Sequence, residues 1–216
     1  DEAYLALLQY QKSNKPVWAY MGSLAASGGY YISCGAQYIC ANRNTLTGSI
    51  GVIAGESVDL TELMANLGIK SKTFTAGRNK NMLNYNSPLT EEHEQIMQSI
   101  ADECYEQFTS IVALNRKIPI RDVKELADGR IYTAKQALNL KLIDKICNFD
   151  EAVTEMKSKL NMENINVIDY QYSPKLSWYD FLSNAFANIN PLVQTTESKV
   201  LDLISSNIKY PAYIYR

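Results

Sequence analysis

The chain alternates short apolar runs with longer amphipathic ones. Tyr4, Leu5, Leu7 and Leu8 behind an acidic start predict a helix over residues 1–11, ended by Ser13-Asn14-Lys15-Pro16. Residues 17–20 read as a buried strand and 38–41 as a second, with a loop over 42–45. Residues 47–53 form a strand punctuated by glycine, which within strands often marks close approach of a backbone or ligand. A short helix over 60–67 closed by Gly68, a strand over 72–75 and a polar loop over 76–82 follow.

The clearest helix begins after Pro88 and Thr90. Met97, Ile100, Ala101, Cys104, Phe108, Ile111 and Val112 recur at three- and four-residue spacing and make one apolar stripe, broken at Ile118-Pro119. Beyond it lie a helix over 122–127, a turn and short strand over 129–132, and a helix capped by Thr133 that runs to Leu140. An edge element over 142–144, a helix over 150–160 and a strand over 165–170 complete the pattern before a helical, tyrosine-rich tail. Strands alternating with helices up to Asp144 predict an α/β fold with a mainly parallel sheet.

Composition narrows the function classes. At 216 residues the chain can bury one core with a small satellite, divided here as 1–160 and 161–216. A net charge of −2 argues against electrostatic capture of nucleic acid, and no run of apolar residues approaches a membrane span. Cys34, Cys40, Cys104 and Cys147 form no CxxC pair, with one histidine beside them, so neither a metal nor another cofactor is expected. Cys34 and Cys40 lie in apolar surroundings and read as buried free thiols.

Candidate chemistry centres on the stretch from Met21 to Ser33. A strand, a tight turn of small residues and a helix start are the arrangement in which α/β enzymes present a nucleophile, although Ala25-Ala26-Ser27-Gly28-Gly29 also reads as a closely packed turn. A serine nucleophile needs a base. The single histidine, His93, falls in the first turn of the long helix and reads as an ordinary surface residue. Lysine serves in Ser-Lys enzymes once burial or a neighbouring positive charge favours the neutral amine, and Lys70, Lys72 and Lys80 stand near strand ends or in loops. Ser206-Asn207-Ile208-Lys209 fits S-x-x-K but lacks companion motifs.

The segment Gly22-Ser23-Leu24-Ala25-Ala26-Ser27-Gly28-Gly29-Tyr30-Tyr31-Ile32-Ser33 resembles the nucleophile segment of signal peptide peptidase A, a bacterial Ser-Lys peptidase family. Further matches follow in order at Thr45 to Ile53, Gly77-Arg78-Asn79-Lys80 and Ala127 to Tyr132. The resemblance implies Ser27 as nucleophile, Lys80 as general base, and Ser49 as the residue that orients the Lys80 amine. It implies backbone N–H groups of Ser27 and Gly28 in the oxyanion hole, and positive potential from Arg78. The implied fold is similar to that of the Clp protease and the crotonases. A homo-oligomeric ring is implied as well, in which serine and lysine can come from neighbouring subunits. The substrates implied are remnant signal peptides and other unfolded peptides, and the location the outer face of the bacterial cytoplasmic membrane, through a segment not in this chain.

The resemblance also places Asp1 within the family's first helix, so the N-terminal part of the domain, with a strand and a Ser-Pro-Gly-Gly turn that supply another oxyanion-hole N–H, is expected ahead of it. Two rival readings share the fold: a crotonase-like enzyme acting on acyl-CoA thioesters, and a ring or scaffold subunit with an impaired site, using the striped helix and tail as interfaces.

Overall fold

In the computed structural model, which describes residues 1–170 and the pair 212–213, helix α1 (Glu2–Gln11) leads into β1 (Trp18–Met21), β2 (Leu24–Ala26) and α2 (Gly28–Ser33). Strands β3 (Tyr38–Ala41) and β4 (Leu46–Gly48) return alongside them, and α3 (Thr61–Asn66) stands alone in the long segment before α4 (Glu91–Arg116). Then come α5 (Ile120–Leu126), β5 (Ile131–Thr133), α6 (Ala134–Asn139), β6 (Lys145–Ile146) and α7 (Phe149–Lys159). The last described elements, β7 (Asp169–Tyr170) and β8 (Ala212–Tyr213), pair antiparallel with each other. Contacts divide the chain into residues 1–156 and 157–216, and the candidate site lies wholly in the first unit.

The pairing is mainly parallel, as the pattern predicts. β1 pairs with β3 and β3 with β6 in one sheet. In the other, β2 pairs parallel to β4, and β5 adds antiparallel to β4. The sheets are two successive stretches of one parallel ladder, interrupted where Gly22-Ser23 meets residues 42–45. Thr45 bridges the interruption: its hydroxyl, almost fully buried, donates to Gly22 O at 2.6 Å with Met21 O at 3.0 Å. That supplies a donor to Gly22 O at the break, while Met21 O also accepts the Asn42 N–H at 2.9 Å.

Above the first sheet, α2 buries Tyr30 completely, and its hydroxyl donates to Leu142 O at 2.9 Å. Phe108 and Val112 of α4 pack into the same core with Ile39, Ile50 and Val123. Each such side chain contributes about 1.5–3 kcal/mol by leaving water. At the far end, Asp144, just before β6, joins β3 to α4. Its carboxylate accepts the Ile39 N–H at 2.7 Å and forms a two-pronged pair with the largely buried Arg116, closest at 2.7 Å.

Several expectations are corrected. Residues 24–26 form a strand inside what reads as a turn. Only Leu46–Gly48 of the glycine-punctuated segment is extended, because Gly48 and Ser49 both take positive φ and turn the chain away. Residues 72–75 form no strand; Phe74 is 83% exposed and no neighbouring strand offers its ladder groups a partner among the described residues. Leu142 and Ile143 are core residues rather than an edge, and the edge strand is β6. Of the 165–170 strand only Asp169–Tyr170 is extended. The apolar stripe of α4 is buried only toward its C-terminal half, where Phe108 and Val112 lie, while Ile100 and Cys104 stay exposed. Buried free thiols at Cys34 and Cys40 are as expected. The tail, apart from residues 212–213, lies outside the described residues.

Candidate active site

Ser27 caps α2 at its N-terminus with φ 53° and ψ −119°, a conformation unfavourable for a residue with a Cβ. Such strain persists only where surrounding contacts over-determine it. Here they do. The Ser27 N–H donates to Gly48 O at 2.8 Å, extending the β2–β4 ladder by one step, and its carbonyl accepts the Tyr31 N–H at 2.9 Å. The side chain makes no capping hydrogen bond and the residue is exposed.

Because Ala26 lies opposite Gly48 in the ladder, Ser27 and Ser49 leave the ends of adjacent strands side by side. Ser49 also has positive φ, 51°, and its N–H donates to Arg130 O at 2.8 Å. The residues that hold this pair are remote in sequence. The Thr47 hydroxyl, fully buried, donates to Ala25 O at 2.6 Å. Tyr132 lies against Gly48 so closely that a Cβ there would come within 2.6 Å of its ring, and the Tyr132 hydroxyl is fixed on Leu126 O at 2.7 Å. Gly129 N–H donates to Ile50 O at 3.0 Å. The turn at Gly129 is itself fixed by Asp128, which accepts the Arg130 N–H at 3.1 Å and pairs with its guanidinium, holding the Asp128 carboxyl below its ordinary range. Two of the sequence motifs, at 45–53 and 127–132, are thus the two halves of one support.

The oxyanion-hole expectation narrows to one residue. Ser27's N–H is already engaged, whereas Gly28's has no partner among the described residues, and a Cβ at Gly28 would meet nothing within 4 Å. The α2 start therefore faces open space, with an unsatisfied donor beside the Ser27 hydroxyl.

Lys80 stands apart. It is exposed, its Nζ makes no hydrogen bond or ion pair among the described residues, and the hollow it lines with Glu56, Val58 and Leu83 includes neither Ser27 nor Ser49. The other candidate bases differ in setting. Lys70 and Lys72 lie on the exposed segment, with the Lys72 ammonium 5.0 Å from the Phe74 ring. His93 is not a surface residue but 9% exposed: its Nδ1 accepts the Thr90 N–H at 3.4 Å while its own N–H donates to the Thr90 hydroxyl at 3.3 Å. That reciprocal cap uses the ring nitrogen a base would need. Arg78 is paired with Glu92, so its charge is offset rather than directed at Lys80. Among the described residues no cluster suited to a metal ion is found.

A model of Peptidase family S49 matches residues 9–163. The chain belongs to that family. It is 32% identical over 213 residues to an Enterococcus faecium protein named "Putative signal peptide peptidase SppA", covering 97% of this chain and 62% of that one. Protease 4 of Haemophilus influenzae is 30% identical over 207 residues, 95% of this chain and 32% of that protein. Among solved structures, a membrane-bound stomatin-specific protease is 19% identical with a TM-score of 0.43, over 71% of this chain and 62% of that one. The α/β architecture with helices flanking mainly parallel strands agrees with the Clp protease/crotonase-like expectation. As an S49 member the chain is of a peptidase family rather than a named acyl-CoA enzyme family. No helix among the described residues is long and apolar enough to cross a membrane.

Proposed function

We propose that the chain is a serine endopeptidase of the Ser-Lys kind, acting on peptides left unfolded, remnant signal peptides among them. The observation that carries this is the strained, exposed Ser27 beside Ser49 at the ends of paired strands. Ser27 Oγ attacks the scissile carbonyl while the Lys80 amine takes its proton. The Gly28 N–H donates to the oxygen that becomes negative, where one such donor is worth about 10²–10³ in turnover. When the tetrahedral intermediate collapses, Lys80 returns the proton to the leaving amine, and water then releases the acyl group from Ser27 by the same route. Ser49 orients the amine.

Lys80 reaches Ser27 from a neighbouring copy of the chain in a closed homo-oligomeric ring. That accounts for an exposed lysine without a partner among the described residues and for apolar side chains left exposed around it. A closed chamber also excludes folded proteins on size alone. The location follows from the substrate: the outer face of the bacterial cytoplasmic membrane, where cleaved signal peptides remain.

The test is intact-mass labelling with a fluorophosphonate probe on the assembled protein, comparing wild type with Ser27→Ala and Lys80→Ala. One adduct on wild type and none on either variant is expected. An adduct that survives in Ser27→Ala removes Ser27 as nucleophile. Assembled wild type that takes no probe favours the impaired ring subunit instead.

A further inference from the structure

The loop that carries Lys80 has an anchor to which the proposed mechanism gives no task. Lys80 N–H donates to Gly77 O at 3.2 Å, closing a four-residue turn that opens at Gly77 with φ 97°. The two central residues of that turn, Arg78 and Asn79, both bind a single carboxylate oxygen. Glu92 Oε1 accepts from the Arg78 guanidinium and from Asn79 Nδ2, the latter at 3.2 Å. Glu92 is the second residue of α4, whose start is fixed by the Thr90–His93 reciprocal cap.

The two arms of this anchor differ in weight. Arg78 is 79% exposed at the side chain, and exposed ion pairs hold little on their own. Asn79 is half-buried, and its Oδ1 is fully buried with no hydrogen-bond partner among the described residues. A carboxylate only accepts, so the amide must turn its NH₂ toward Glu92, and this orientation leaves the carbonyl oxygen unpaired inside. Leaving a buried acceptor unpaired is unfavourable, so a folded turn that does so is held there by its other contacts. The contact that dictates the amide's orientation is Glu92.

We infer that Glu92 is a positioning residue for Lys80, fixing the turn through Asn79 so that the lysine leaves it in one direction. This rests on the reading of Lys80 as base. Lys80 Nζ has no partner among the described residues, so the backbone turn is what aims it. A loss of that aim lowers the rate of proton transfer without changing how peptide is held.

The experiment compares wild type, Glu92→Ala, Glu92→Gln and Lys80→Ala in the intact, assembled protein. Readouts are kcat and KM on an unfolded peptide, melting temperature, and amide hydrogen exchange over residues 77–82. Glu92→Ala should lower kcat about ten-fold with KM within about two-fold of wild type, and should speed exchange in the turn about ten-fold. Glu92→Gln keeps an oxygen for Asn79 Nδ2 and should restore most of both. Unchanged exchange and kcat in Glu92→Ala overturn the inference. So does a loss that Glu92→Gln shares in full, or one that comes with a lowered melting temperature. Full turnover in Lys80→Ala sinks the base reading instead, whatever Glu92 does.

Discussion

Two stretches of the chain carry the proposed chemistry, and they are built in opposite ways. The serine half, from β1 to Ile50 with the returning segment 127–134, buries Met21, Thr47, Ile50 and Ala134 almost completely and fixes its turns by hydrogen bonds across long sequence separations. The lysine half, residues 53–89, contains one six-residue helix with no buried residue. It leaves Ile53 91%, Phe74 83% and Leu67 65% exposed. Most of its hydrogen bonds join residues close in sequence, several of them asparagines, as with Asn84 Nδ2 to Asn81 Oδ1 at 3.0 Å. One half is finished within the chain. The other has apolar side chains that nothing among the described residues covers, which is what the proposed neighbouring copy would do.

The sharpest way to break the contrast is to remove the reactive atom. Ser27→Ala should abolish peptide hydrolysis and fluorophosphonate labelling, a loss of at least about 10³-fold, while melting unchanged or slightly higher, since alanine keeps the fold and loses only an exposed hydroxyl. A variant that still hydrolyses peptide would take the nucleophile out of the serine half altogether.

Gly48→Ala attacks the support instead of the atom. An added methyl both meets the Tyr132 ring and strains a φ of 82°, and should cost about 2–4 kcal/mol in chemical denaturation. Activity should fall further than the lost stability explains. Thr47→Val is milder: it removes the hydroxyl that donates to Ala25 O and should cost about 1–2 kcal/mol. A neutral result at either position would mean that the serine half is less rigidly specified than its geometry implies.

The interior of this half also sets an alkaline limit. Burial pushes the Cys34 thiol up from 9.0 to about 12, so the folded chain keeps it neutral while the unfolded chain ionises it. That contribution is intact below pH 9 and is lost as pH rises from 9 toward 12. Cys34→Ala should therefore show a shallower alkaline fall in unfolding free energy, by up to about 1.4 kcal/mol per pH unit. Equal slopes would place the thiol in contact with water.

The smallest effect on folding is expected from the lysine half. Phe74→Ser should move the stability of an isolated subunit by less than about 0.5 kcal/mol yet weaken self-association in sedimentation. Lost stability with unchanged association would reverse the comparison.

Much of the frame could be read from the residues because it is written locally. The capping threonines, the small-residue turn before α2 and the β3 run each declare themselves within a few positions. What escaped was tertiary. Leu24-Ala25-Ala26 is a strand because β4 lies beside it, and Lys72-Thr73-Phe74-Thr75 has strand-like residues but no such neighbour. The same applies at the site. Ser27 and Ser49 were nameable from motifs, but Thr47, Tyr132 and Glu92 act across 22, 84 and 14 positions of sequence, which no periodicity encodes. His93 was misplaced for a subtler reason. A cap of the Thr-x-x-Glu form is a familiar signal, whereas histidine in the fourth position does the same job without advertising it.

The seat of Tyr132 on Gly48 has a consequence in time. A chain emerging from the ribosome exposes its serine turn long before residues 127–133 have been made. Until then neither Arg130 O nor the Tyr132 ring is present to hold Ser49 and Gly48 in their turned conformation. The end of the molecule that carries the proposed nucleophile is thus set in place only once the last residues of its support have been made.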